Sequence, residues 1–206
     1  MAQADDQNLI DRARDGDVRA FEQLIRPHVD SIRRLAYSFR PNWSDADDLA
    51  QEALIRAYRN IGSFRREAAL STWLYTVARS AFLDWLRGRS AKARGREDTL
   101  SEPPPDSADP QDQLLQSRRE AEALWAAIRR LDPRFRIPLV LFDIEGLPYE
   151  RVAAIEGVPV GTIKSRLSRA RGQLRALLLA EEAAESPDPG TDSARSSSNL
   201  SRRPVQ

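Results

Sequence analysis

Residues 91–112 read AKARGREDTLSEPPPDSADPQD, and this stretch decides how much of the chain can fold as one body. It has no apolar periodicity and carries three consecutive prolines, Pro103, Pro104 and Pro105, which fix φ and donate no backbone hydrogen bond. A segment of this kind buries no core and serves as a flexible linker with some polyproline stiffness. Folding is left to a first block over residues 1–90 and a second over 113–182; a Ser-, Pro- and Asp-rich tail at 183–206 is expected to be disordered. Fully extended, the linker reaches about 75 Å.

Both blocks read as helix. No stretch alternates as a strand does, whereas apolar residues recur at helical spacing. Leu49, Ala53, Leu54, Ala57, Tyr58 and Ile61 form one stripe, with Asp48, Gln51, Glu52 and Arg56 on or beside the polar face. Ser44 and Asp47 have the spacing of a capping box with the shorter acid. A second helix spans 70–86, with Trp73, Leu74, Val77, Ala78, Ala81 and Trp85 on its apolar face. Further on, Asp132 and Pro133 read as N-cap and first helical residue, and Gly146 as a helix end. The expected fold class is all-α, with two helical domains joined by the linker.

Residue usage narrows the function. The chain has no cysteine, which excludes a disulfide framework, a thiolate zinc site and a cysteine nucleophile. His28 is its one histidine and is expected at the surface or half-buried, so a histidine metal site or acid–base relay is not expected. There is no phosphate loop, and the neighbouring carboxylates of Asp47 and Asp48 diverge on a helix. No cofactor, small-molecule substrate or enzymatic activity is expected. The start, MAQADDQNLI, lacks a signal-peptide pattern, and no segment approaches the roughly 20 apolar residues of a membrane span. The reading is a cytoplasmic protein with no membrane partner.

Formal net charge is +1, but the charges are segregated. Residues 161–175 hold five basic side chains and no acid, as do residues 87–96, whereas Asp45, Asp47, Asp48 and Glu52 cluster. The pattern fits one anionic and one basic partner; solvated helix faces are the plainer alternative.

The stretch LPYERVAAIEGVPVGTIKSRLSRARGQLRALL, residues 147–178, is the most informative. A short helix breaks at Glu156-Gly157-Val158-Pro159 and a long basic helix follows, the order of a helix-turn-helix. Val152 and Ala153 are expected to pack on Ile163 and Leu167. That leaves Thr162, Lys164, Ser165, Ser168 and Arg169 outward near the start of the second helix, where such proteins meet base edges. Arg166, Arg171 and Arg175 suit phosphates. An αα-hairpin with a basic exposed face is the competing reading, opposed by the absence of acids on that helix.

These residues resemble a known family. PVGTIKSRLSRAR, preceded by LPYERVAAIEGV, is similar to the promoter −35-binding region of extracytoplasmic-function (ECF) sigma factors. GDVRAFEQL, followed by DADDLAQEALIRAYRNIGSFRREAALSTWLYTVARSAFLDWLRGR, resembles region 2 of the same family. The resemblance covers two ordered blocks, without the long middle domain of housekeeping sigma factors. It implies a region 2 helical bundle, a region 4 helix-turn-helix domain, and a subunit that binds core RNA polymerase at the β′ clamp and β flap and directs it to promoter DNA. An anti-sigma factor is a further implied partner.

The resemblance also assigns roles. Asp48, Leu49, Gln51 and Glu52 match the family's D-L-x-Q-E motif, which docks on the basic coiled coil of the β′ clamp. Phe64, Arg65, Arg66, Arg79, Ser80, Asp84 and Arg87 fall where the −10 element is read, and their types suit capture of an unstacked base beside a basic groove. Ser80 stands where many members carry Asn. Trp73 and Trp85 could stack on bases, but their spacing with Leu74 and Val77 puts them in the core. Thr162, Lys164, Ser165, Arg166, Ser168, Arg169 and Arg171 fall in the −35 reader. A repressor would need a dimerisation element, a response regulator an α/β receiver, and an adaptor would leave the basic helix unexplained.

Overall fold

The computed structural model describes residues 2–65, 68–92 and 111–185. Among them the regular structure is helical throughout, with no strand. The linker's central part, the tail beyond residue 185 and Arg66 lie outside the described residues.

The first body comprises α1 (Ala2–Arg14), α2 (Val18–Ile25), α3 (Val29–Tyr37), α4 (Trp43–Asn60) and α5 (Leu70–Lys92). Asp17 caps α2 by accepting from the Ala20 amide at 3.1 Å, and Arg12 holds the same carboxylate at 2.6 Å. The start of α4 differs from the expected capping box. Asn42, not Ser44, is the N-cap, accepting from the Ser44 amide at 2.8 Å, so the helix begins at Trp43. Asn satisfies an orphan amide as well as Ser does and comes earlier in the chain. Asp47, freed from capping, accepts from Arg33 on α3 at 2.6 Å.

The expected stripe of α4 is seen. Leu49, Ala53, Ala57 and Ile61 are buried, and Leu54 and Tyr58 pack beside them. On α5, Leu74, Ala78 and Ala81 are buried as expected, and Trp73, Val77 and Trp85 lie half-buried against the core. Tyr75 and Phe82 are also buried, so α5 buries a second flank that the spacing had not disclosed. On that flank Phe82 meets Phe39, with ring centroids 5.6 Å apart.

The second body comprises α6 (Gln111–Arg130), α7 (Pro133–Leu139), α8 (Tyr149–Glu156) and α9 (Val160–Glu185). Asp132 caps α7 as expected, accepting from the Arg134 amide at 2.9 Å with Pro133 in the first turn. After Pro138 the chain widens into a π-turn over Val140–Ile144, in which the Glu145 amide reaches the Val140 carbonyl at 2.9 Å. Gly146 ends this turn at φ +67. Gly157 ends α8 at φ +66, a left-handed conformation that side chains with a Cβ resist, and the chain reverses directly into α9. Val152, Ala153, Ile163, Leu167 and Ala170 are all buried between the two helices.

The two bodies share one apolar cluster. α5 lies against α8, and Trp125 of α6 meets Tyr37 of α3 edge-on, with ring centroids 5.3 Å apart. Arg34 on α3 donates twice to Glu145, at 2.7 and 2.8 Å, and Arg79 on α5 donates to Glu156 at 2.5 Å.

Candidate nucleic-acid interface

Helix α4 presents an acidic face. Asp48, Gln51 and Glu52 are exposed, and no hydrogen bond or ion pair engages Asp48 or Glu52 among the described residues. Their neighbours are committed: Asp45 pairs with Arg40, while Asp47 pairs with Arg33 and also accepts from Gln51 at 3.1 Å. The acid cluster therefore has partners at two of its four carboxylates, Asp45 and Asp47. Leu49 is buried and fixes the helix to its core instead of facing a partner. Ile55, one turn beyond Gln51 and Glu52, adds an exposed apolar side chain to this face. It escaped the sequence reading because a single out-of-phase apolar residue carries no periodic signal.

The residues expected to handle an unstacked strand separate into two groups. Phe64 is 3% exposed: its ring packs against Trp73 with centroids 5.5 Å apart, and its carbonyl accepts from Arg14. It is a core residue here, and no base could stack on it in this arrangement. Arg65 is exposed, Ser80 is half-buried, and Asp84 and Arg87 form an ion pair at 2.5 Å. Asp84 also accepts from Arg56 at 2.6 Å, and that guanidinium holds its carboxyl below the usual carboxylate range. Arg56 thus joins the group from α4; sequence reading had placed it only on a polar face.

Helix α9 shows a clean division. Ile163, Leu167 and Ala170 point into the core, and Lys164, Ser165, Ser168 and Arg169 line the exposed side. Thr162 is half-buried. The Ser165 hydroxyl donates to the Thr162 carbonyl at 2.9 Å, and the Lys164 ammonium lies 5.5 Å from the Tyr149 ring centroid. Arg166 donates to Glu156 at 2.7 Å. Arg171 grips Asp143 at 2.6 and 3.1 Å, and this hydrogen bonding raises its pKa. A two-turn cationic strip on a helix following a tight left-handed turn has the shape that enters a major groove.

Comparison with known proteins decides between a generic helix-turn-helix and something more specific. Sigma-70 region 2 matches residues 24–92, and Sigma-70, region 4 matches residues 121–174. The chain is 34% identical to the RNA polymerase sigma-H factor of Pseudomonas aeruginosa, over 83% of this chain and 92% of that one. The chain belongs to the ECF RNA polymerase sigma factors.

Other relatives agree. The ECF sigma factor SigE of Mycolicibacterium smegmatis is 38% identical over 76% of this chain, although the match spans only 60% of SigE. The sigma-E factor of Escherichia coli K12 is 32% identical, over 82% of this chain and 92% of its own length. Among solved structures, the sigma factor RpoE of Bartonella quintana in complex with the anti-sigma factor NepR aligns with a TM-score of 0.64. It is 28% identical, covering 80% of this chain and 99% of that one. CnrH in complex with the cytosolic domain of CnrY aligns at 0.63 and 26% identity, covering 86% and 99%.

As an ECF sigma factor the chain binds core RNA polymerase and directs it to promoters for transcription initiation. Its α4 and α5 fall within region 2, and α7, α8 and most of α9 within region 4. No group of three or more His, Cys, Asp or Glu placed to hold a metal occurs among the described residues. None of their helices is long and apolar enough to cross a membrane.

Proposed function

We propose that this sigma factor docks on the β′ clamp through Asp48, Gln51 and Glu52, with Leu49 positioning the helix from within. One observation carries this assignment: among the described residues Asp48 and Glu52 have no hydrogen-bond or ion-pair partner, although Asp45 and Asp47 beside them do. Carboxylates left solvated on a rigid helix face suit a basic protein surface, where they steer encounter and fix register.

On the same reading, Arg65, Arg66, Arg79, Ser80, Asp84 and Arg87 handle the −10 strand. Thr162, Lys164, Ser165, Ser168 and Arg169 read the −35 groove, with Arg166, Arg171 and Arg175 on phosphates. Phe64 contributes by supporting the loop that carries Arg65. The linker over 91–112 joins the 1–90 and 113–182 domains through the polymerase, whose β flap holds the second. The chain acts by binding and not by catalysis, works in the cytoplasm beside its polymerase, and is held in check by an anti-sigma factor. The solved relative paired with one supports that last point.

The test is co-elution of the full chain with core RNA polymerase, with the Asp48→Ala, Gln51→Ala, Glu52→Ala triple variant alongside. Loss of co-elution by the folded variant supports the α4 assignment. Retention at wild-type level would move the docking site elsewhere.

A further inference from the structure

Glu156 is the last residue of α8, and its two carboxylate oxygens serve arginines from different bodies. Oε1 accepts from Nε of Arg79 on α5 at 2.5 Å, and Oε2 accepts from Nη1 of Arg166 on α9 at 2.7 Å. The carboxylate is 1% exposed. Locally this is a poor place for an acid. A carboxylate at a helix C-terminus faces the negative end of the dipole, and burying one is costly unless it is paired. A residue that conflicts with both its helix and its burial, and is rescued by one cation from the next helix and one from the other body, marks a position shaped by something other than stability. Glu145 is buried in a similar way, its carboxylate 3% exposed, but both its oxygens accept from one guanidinium, that of Arg34.

The two arginines on Glu156 are not ordinary surface cations. In the function proposed above, Arg79 meets the −10 strand and Arg166 a −35 phosphate. A cleft of about 250 Å³ opens beside them, lined also by Arg134, and both arginines keep part of their surface in solvent. The contact also fixes geometry. With Arg79 and Arg166 on one carboxylate the two bodies touch, whereas −10 and −35 elements stand roughly 70 Å apart, two turns of duplex. Closed chain and promoter-bound chain are therefore different arrangements.

We propose that Glu156 stands in for DNA phosphate, holding the free chain closed with both arginines occupied, and that promoter DNA displaces it by offering phosphates to the same guanidiniums. This rests on Arg79 and Arg166 being DNA contacts. The exchange is chemically even-handed, because the guanidinium fork accepts carboxylate and phosphate with similar geometry. It favours DNA by number: one carboxylate is shared by two cations, and each freed cation gains a phosphate while the carboxylate returns to water. It also gives a physical reason for a sigma factor to bind duplex poorly on its own, since apparent affinity scales with the open fraction.

The chain has no cysteine, so Ser44→Cys and Gln173→Cys, both exposed, can carry a donor–acceptor dye pair on the full-length protein. The wild type is expected to show high transfer alone and lower transfer with a −35 duplex. Glu156→Gln, which keeps the shape and removes the charge, is expected to show low transfer without DNA. It should also bind the duplex more tightly, by about tenfold if the wild type is nine-tenths closed. Glu156→Asp keeps the charge but is too short to reach both guanidiniums and should fall between. It stands in if Glu156→Gln loses helicity. A wild type already at low transfer, or variants matching the wild type in transfer and duplex affinity, would overturn the proposal, as would opening with no gain in affinity. Failure of the underlying DNA reading looks different: Arg166→Ala, made in the opened Glu156→Gln chain, would then leave duplex affinity untouched.

Discussion

Arg136 of α7 donates from Nη1 to the carbonyl of Ser38, the residue that ends α3, at 3.0 Å. Its Nη2 donates to the Leu131 carbonyl at 2.7 Å and also to that of Arg129, both at the end of α6. Arg136 is 7% exposed and forms no ion pair among the described residues; the negative ends of two helices, one from each body, take that role. Burial pushes its pKa down to about 10, which still leaves it charged at neutral pH.

Replacing Arg136 with Met should therefore destabilise the protein, because the helix-end carbonyls lose their donors inside the protein. The expected loss is about 1–3 kcal/mol, read from urea denaturation of the full chain. Arg136→Lys, which keeps the charge but not the fork, should recover only part of it. An unchanged midpoint for Arg136→Met would show that these carbonyls find other donors.

His28 lies in the turn between α2 and α3, and burial, then the Arg151 charge on α8, lowers its pKa from the ordinary 6.5. The folded state thus prefers the neutral ring. Stability is fully present above the unfolded value and is lost as pH falls through the lowered folded value, because the unfolded chain takes up the proton first. Denaturation at about pH 7.5 and about pH 5.5 should show the wild type losing more stability than His28→Gln. Equal losses would remove His28 as the source.

The division of α9 predicts two kinds of DNA phenotype. Lys164→Ala and Arg169→Ala should each cost about 1–3 kcal/mol at particular −35 bases. Arg175→Ala should weaken binding evenly and reduce the salt slope by about one. Arg171→Ala should do the same less strongly, because Asp143 already holds that guanidinium. Salt-dependent affinities of polymerase holoenzyme on promoter variants measure all four; the same base preference in every variant would place recognition elsewhere.

Phe64→Ala should be a folding defect first. Its ring is enclosed with Trp73, so truncation should cost about 3–5 kcal/mol in chemical denaturation. Phe64→Leu should restore most of that stability. A Phe64→Ala chain as stable as wild type yet unable to open promoters would return Phe64 to a base-contacting role.

What the sequence disclosed and what it hid follow from range. The stripe Leu49–Ala53–Ala57–Ile61 and the break at Gly157 were legible because each is written within a few consecutive turns. The cap at Asn42 was misplaced by two residues, since Ser44 and Asn42 are both competent and only the path of the chain chooses. Phe64 was expected among the residues that capture an unstacked base, because a lone aromatic in a loop has no period to reveal which way it points. Arg79 and Glu156 stand 77 residues apart, and Arg34 and Glu145 stand 111 apart. Neither pair leaves any trace in local spacing, so Arg79 looked like groove lining and Glu156 like part of a turn. Tyr75 and Phe82 were missed for the same reason, as their partners lie in other parts of the chain.

Trp125 is the second body's own tryptophan; Trp43, Trp73 and Trp85 belong to the first. It is 6% exposed, with its ring edge-on to Tyr37 of the opposite body. Any movement that parts the bodies must take that indole away from its tyrosine and wet one side of it. The protein therefore carries a built-in optical gauge: its ultraviolet emission should drift to longer wavelength as the halves separate, with no label attached.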